Sequence, residues 1–223
     1  AKVIHFAYTN QKTTTLIVSR CLRQSMIMFG IVENLIMQHP ILRKSVTKST
    51  RTNIQLTNRS QITALPCGPD GAGLRGFTAD LVVMDDAAFM PEDVIASVIF
   101  PMLATTDGTA IMLSTPWGQD NTFYRSFKNP NYWSQHVTAE QYPLIKPEFL
   151  QEQRSEIGEL RYRMEYPAEF IEDHNSFFKQ DLIRECIEDY DLLGEHELFT
   201  DQRIEGNYYL GADFGKKIDH TAI

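Results

Sequence analysis

"LVVMDDAAFM", residues 81–90, is the stretch on which the reading of this chain turns. Four apolar residues run into two adjacent aspartates, Asp85 and Asp86. Apolar residues then resume, and Pro91 follows. A short apolar run of this kind fits a strand buried on both faces. In an open parallel sheet, ligands bind beyond the carboxyl ends of such strands. Two neighbouring carboxylates at that place repel each other unless a cation or a proton compensates them.

The flanks supply the architecture. Upstream, "PCGPDGAGLRG" (66–76) is glycine-rich and reads as a loop. Before it, "NIQL" and "QITAL" flank "TNRS" as a hairpin would. "TTTLIVS" (13–19) is β-branched and apolar, a buried strand. It leads into residues 20–38, where Leu22, Met26, Phe29, Val32 and Ile36 fall at helical spacing and Pro40 closes the run. Downstream, Pro91 suits the first turn of a helix, and "TAIMLST" (109–115) is another apolar strand. Strands alternating with helices predict an α/β fold with a parallel sheet.

Composition sets the outer bounds. The chain has 223 residues, is 43% hydrophobic and 22% charged, and has enough apolar residues for a sizeable core. It has no apolar run of membrane-spanning length, so no membrane partner is expected. Cys21, Cys67 and Cys186, like the six histidines, show no metal spacing, and the scattered thiols read as reduced. The net charge of −8 is uneven. Residues 1–139 hold 12 Lys/Arg against 9 Asp/Glu, and residues 140–205 hold 7 against 18. That step marks a boundary near residue 140. Phosphates would repel the acidic part, so a solvated helical surface is its simpler reading. Trp117 and Trp133 read as packing residues.

An acid ending an apolar strand is also the Walker B arrangement of P-loop NTPases, in which the Asp holds Mg2+. The acid after it can orient the attacking water. Solvated acids at a strand end would fit the ten residues equally well, so the wider order of motifs matters. "GLRGFTADLVVMDDAAFMP", followed by a strand ending "MLSTPWG", resembles the large subunit of viral terminases, the DNA-packaging motors of tailed phages and related viruses. "LIVSRCLRQSMIMF", "FLQEQRSEIGELRYRMEYPAEF" and "YYLGADFGKKIDHTAI" are similar to further segments of that family, in the family's order.

The resemblance implies a P-loop-type, mostly parallel sheet flanked by helices, with a helical linker and the first strand of an RNase H-like nuclease domain. The implied division is an ATPase core over 1–139 that lacks its Walker A loop upstream, an acidic linker over 140–206, and the start of the nuclease over 207–223. The implied cofactors are ATP and Mg2+. The implied partners are double-stranded DNA, a portal protein and a small terminase subunit, in a homo-oligomeric ring in the host cell cytoplasm. By resemblance, Asp85 binds Mg2+, Asp86 polarises the hydrolytic water, and Ser114 and Thr115 couple hydrolysis to motion. Arg75 is an arginine finger; otherwise it bonds its own loop carbonyls or Asp80. Asp213 is the first metal ligand of the nuclease.

Three departures temper this. No G-x-x-x-x-G-K-[ST] loop is present, so phosphate affinity should be very poor and this piece by itself inactive. Asp86 stands where the family usually has Glu. Residues 207–223 contain only the opening of a nuclease. Two other readings stay open: a helicase-like motor, and a non-catalytic interaction module descended from a motor.

Overall fold

The computed structural model describes residues 1–171. Asp213, Cys186, the 207–215 strand and the helix expected near 179–193 lie outside the described residues.

The chain opens with α1 (Lys2–Thr9), β1 (Thr14–Ser19), α2 (Leu22–Gln38) and α3 (Pro40–Lys44). Three strands follow, β2 (Val46–Ser49), β3 (Asn53–Leu56) and β4 (Gln61–Pro66). The glycine-rich loop then leads to β5 (Leu81–Asp85) and a 3-10 turn, Ala87–Phe89. Next come α4 (Glu92–Val94), a π-helical turn over Ile95–Ile99, α5 (Phe100–Ala104) and β6 (Thr109–Leu113). Last are α6 (Thr122–Lys128), α7 (Pro147–Ile157) and α8 (Glu159–Glu165).

One six-stranded sheet runs in the order β2-β3-β4-β1-β5-β6. β4, β1, β5 and β6 are mutually parallel, and β3 is antiparallel to both β2 and β4. The expected α/β sheet and the 53–66 hairpin are therefore present. With β2 added outside β3, the hairpin makes up the antiparallel part of the sheet.

Both faces of β1 and β5 are covered, which is why these strands read as unbroken apolar runs. Leu16, Val18, Val82 and Met84 pack on one face with Leu74, Val94 and Ile99. Ile17, Leu81 and Val83 pack on the other, against Val3 and Ala7 of α1 and Phe29, Val32 and Ile36 of α2.

Local chemistry shifts several boundaries. Leu22 is largely exposed, and Ser25 takes its place on the buried stripe of α2. Pro40 does more than end α2: it is the first residue of α3, where its missing N–H costs nothing. Pro91 precedes the helix as the cap of α4 instead of lying inside it. Pro101 offers no N–H to the preceding turn, which widens to π-helical. Gly71 has φ +68°, and a Cβ there would meet Val94 and Val98 at 3.0 Å, so the loop lies close against this helix. Asn121 caps α6, its Oδ1 accepting from the Tyr124 N–H at 2.9 Å.

Candidate functional site

Parallel register aligns the carboxyl ends of three strands. Ser19 of β1, Asp85 of β5 and Leu113 of β6 are direct partners across the sheet. Residues in one such row point to the same sheet face. Ser19 is fully buried, and its Oγ has no hydrogen-bond partner among the described residues. The free hydroxyl and the Asp85 carboxyl thus share one face at the end of the sheet.

Asp85 is half-buried and Asp86 lies beside it. Burial pushes the Asp85 carboxyl above the ordinary carboxylate range, and the neighbouring Asp86 charge adds to the rise; a backbone hydrogen bond from Asp86 opposes both. Among the described residues, neither acid has an ion-pair partner. Asp86 turns the chain sharply, at φ 56° and ψ 43°. Asp tolerates this left-handed conformation better than most residues. The turn ends β5 and starts the 3-10 segment.

The two strand ends are tied together. The Ala88 N–H donates to Ser114 Oγ at 3.2 Å. Phe89 packs on Trp117 with ring centroids 5.3 Å apart. Glu92 accepts from Arg125 at 2.6 Å and from Thr122 at 3.3 Å. The segment after the acids is thereby joined to the segment after β6 by polar and aromatic contacts. Thr115 is half-buried and lies next to this link.

Two polar residues that the sequence did not single out complete the edge. Gln24 Nε2 donates to Asp86 Oδ2 at 2.8 Å. Ser25 Oγ donates to the Leu65 carbonyl at 2.7 Å and accepts from the Ser19 N–H at 3.1 Å. Ser25 could have been found, since positions 25, 29, 32 and 36 share one helical face. Nothing local marks Gln24.

Arg75 is exposed in the glycine-rich loop, next to the buried Leu74. Its side chain makes no hydrogen bond or ion pair with any described residue. Asp80, its suggested partner, instead accepts from the Thr14 N–H at 2.7 Å and pins the start of β1. The structure therefore links the segment after Asp85 and Asp86 to Ser114, while the Arg75 side chain has no partner among the described residues. Trp117 touches Phe89 yet is 54% exposed, and Trp133 is 85% exposed, so neither is the buried packing residue expected.

The donor set suits a divalent cation shared with a phosphate. Mg2+ is commonly held by one or two carboxylates, with phosphate oxygens and water completing its shell. Two carboxylates without a cationic partner, one with a raised pKa, match that need. No cluster of three or more His, Cys, Asp or Glu that could hold a metal alone occurs among the described residues. A groove of about 1000 Å³ runs along β6, with Lys2 of α1 also in its lining; neither acid lines it. No helix among the described residues is long and apolar enough to cross a membrane.

Comparison with known proteins supplies the family. The model of the terminase large subunit, T4-like virus type, N-terminal region, matches residues 2–185. The terminase large subunits of Thermus phage G20c and Thermus virus P23-45 are each 33% identical to this chain over 170 residues. Each match covers 67% of this chain and 34% of the relative, so the chain spans about a third of their length. The large terminase ATPase domain of Thermus phage P74-26 has a similar fold, with a TM-score of 0.67 at 23% identity, over 76% of this chain and 81% of that one. The large terminase of another thermophilic bacteriophage, in complex with ADP, aligns with a TM-score of 0.58 at 11% identity, over 76% of this chain and 44% of its own. With the family model spanning most of its length and the motifs gathered at one sheet edge, this chain belongs to the terminase large subunit family, as the N-terminal region of the T4-like type.

Proposed function

We propose that this chain is ATPase-core sequence of a DNA-packaging motor, and that the carboxyl edge of β5 is its hydrolytic centre. The observation that carries this reading is the Asp85–Asp86 pair at the end of a buried strand, joined through Ala88 to Ser114. Asp85 would hold Mg2+ and Asp86 would orient the attacking water as its general base. Bound Mg2+ would neutralise charge on the transferring phosphate. Ser114 and Thr115 would carry the consequence of hydrolysis into the segment before α6. Arg75, exposed and unpaired among the described residues, is free to serve a neighbouring subunit's nucleotide as a finger.

One thermophilic-phage large terminase of similar fold was crystallised with ADP, which supports a nucleotide as the ligand of this fold. A phosphate-binding loop would come from sequence outside this chain. Double-stranded DNA, a portal protein, a small subunit and a homo-oligomeric ring in the host cytoplasm are the partners and setting the family resemblance implies. Metal binding by Asp213 in a nuclease domain rests on that resemblance alone.

The test uses the full-length protein. Asp85→Ala is expected to weaken Mg2+-dependent nucleotide binding by at least about tenfold, read by calorimetry with and without Mg2+. Unchanged Mg2+ dependence would remove Asp85 from the site.

A further inference from the structure

We propose that Gln24 is a positioning residue for the hydrolytic acid: its side-chain amide holds one oxygen of the Asp86 carboxylate and leaves the other for water. This rests on the role of Asp86 proposed above.

The contact is Gln24 Nε2 to Asp86 Oδ2, 2.8 Å, between residues 62 apart in sequence. The left-handed backbone at Asp86 sets where its Cβ points, but the carboxylate can still rotate about its side-chain bonds. A donor fixed elsewhere in the fold removes much of that freedom. Misorientation of a reacting group is costly, because the rate depends on the alignment of reacting atoms.

Gln24 is a long side chain and must itself be held. Two features do this. Cys21 Sγ donates to Gln24 Oε1 at 3.4 Å, which turns the amide nitrogen toward Asp86. The next residue, Ser25, is fully buried and bridges the Ser19 N–H and the Leu65 carbonyl. The first turn of α2 is thus fastened to the ends of β1 and β4. Gln24 stands in the first turn of α2 and Asp86 directly after β5, so the contact joins the helix to the strand end. A neutral amide also orients the carboxylate without placing a positive charge beside Asp85.

Gln24 acts through Asp86 and touches no reacting atom. In the full-length protein, Gln24→Met keeps the side chain's length and removes the donor. Single-turnover ATP hydrolysis is expected to fall about tenfold, with nucleotide affinity unchanged within about twofold. Gln24→Asn is too short to reach and should lose a similar factor, which also covers the case of a poorly folding Gln24→Met. Combining Gln24→Asn with Asp86→Glu moves one methylene from donor to acceptor. That pair should recover to within about threefold of Asp86→Glu alone, a recovery that simple packing by Gln24 would not produce. In the chain described here, the Gln24 side-chain amide resonances should shift in Asp86→Ala. Wild-type hydrolysis in Gln24→Met, equal losses of rate and affinity, no recovery in the pair, or unmoved amide resonances would each overturn the proposal. Asp86→Ala in the same hydrolysis assay keeps the two readings separate. If that variant still hydrolyses ATP, the role of Asp86 fails first. If it is dead while Gln24→Met is unaffected, only Gln24 is excluded.

Discussion

β5 and β6 look alike as sequence and differ as structure. Each is five residues long, largely apolar, and followed by a polar residue. β5 lies between β1 and β6, and its first four residues are buried. β6 is the last strand of the described sheet, and among the described residues none of its side chains is fully buried; Leu113 is 46% exposed. The consequence reaches the strand ends. Asp85, on the covered strand, has its carboxyl pushed upward by burial. Ser114, after β6, accepts a hydrogen bond from the backbone of Ala88. A covered strand end gives carboxylates a fixed, partly desolvated place. The end of β6 gives a hydroxyl that joins the segment after it to the segment after β5.

The largest expected effect separates the two ends chemically. In the full-length protein, Asp86→Ala should lower single-turnover hydrolysis by about 10²–10⁴-fold, the usual range for a positioned general base. Ser114→Ala removes one hydrogen bond and should cost about tenfold or less. Equal losses would erase the proposed division between chemistry at β5 and coupling at β6.

A second comparison is mechanical. Met84 is fully buried on β5, so Met84→Ala should destabilise the chain by about 2–5 kcal/mol. Met112, half-buried on β6, should cost less than about 2 kcal/mol, because its site is already open to water. Urea unfolding of both variants measures this. Matching costs would mean that β6 is as well covered as β5.

The smallest effect concerns pH. The folded protein holds the Asp85 proton more tightly than the unfolded chain does, since its carboxyl is raised. The stabilisation from that proton is complete below the ordinary Asp value and is lost as pH rises through the raised one. At neutral pH the wild type therefore carries a buried charge that Asp85→Asn lacks. Asp85→Asn should melt slightly higher at neutral pH, and the gap should close as the pH falls through the acid range. Thermal melts across that range would show a gap widening toward acid if the sign is wrong.

Some of this was open to reading along the chain. β1, β5 and the hairpin were legible because burial on both faces demands unbroken apolar residues, and turns demand glycine or polar ones. The paired acids announced themselves by their place after such a run. The family's order of motifs pointed to Ser114, Thr115, Arg75 and Asp213, of which the described fold places the first beside the acids and leaves Arg75 free in its loop. The reading was weaker for α2, where Leu22 carried the apolar pattern outward and Ser25 took the buried position through its hydrogen bonds.

The amino-acid order by itself determined which segments become strands and helices, because periodicity and turn chemistry act over a few residues. It also determined that two carboxylates end a strand buried on both faces. Only the tertiary structure decided that β6 pairs with β5, that Ser114 meets Ala88, and that Gln24 reaches Asp86. Those outcomes depend on which strands pair and on contacts between residues 26 and 62 positions apart, which no local pattern encodes.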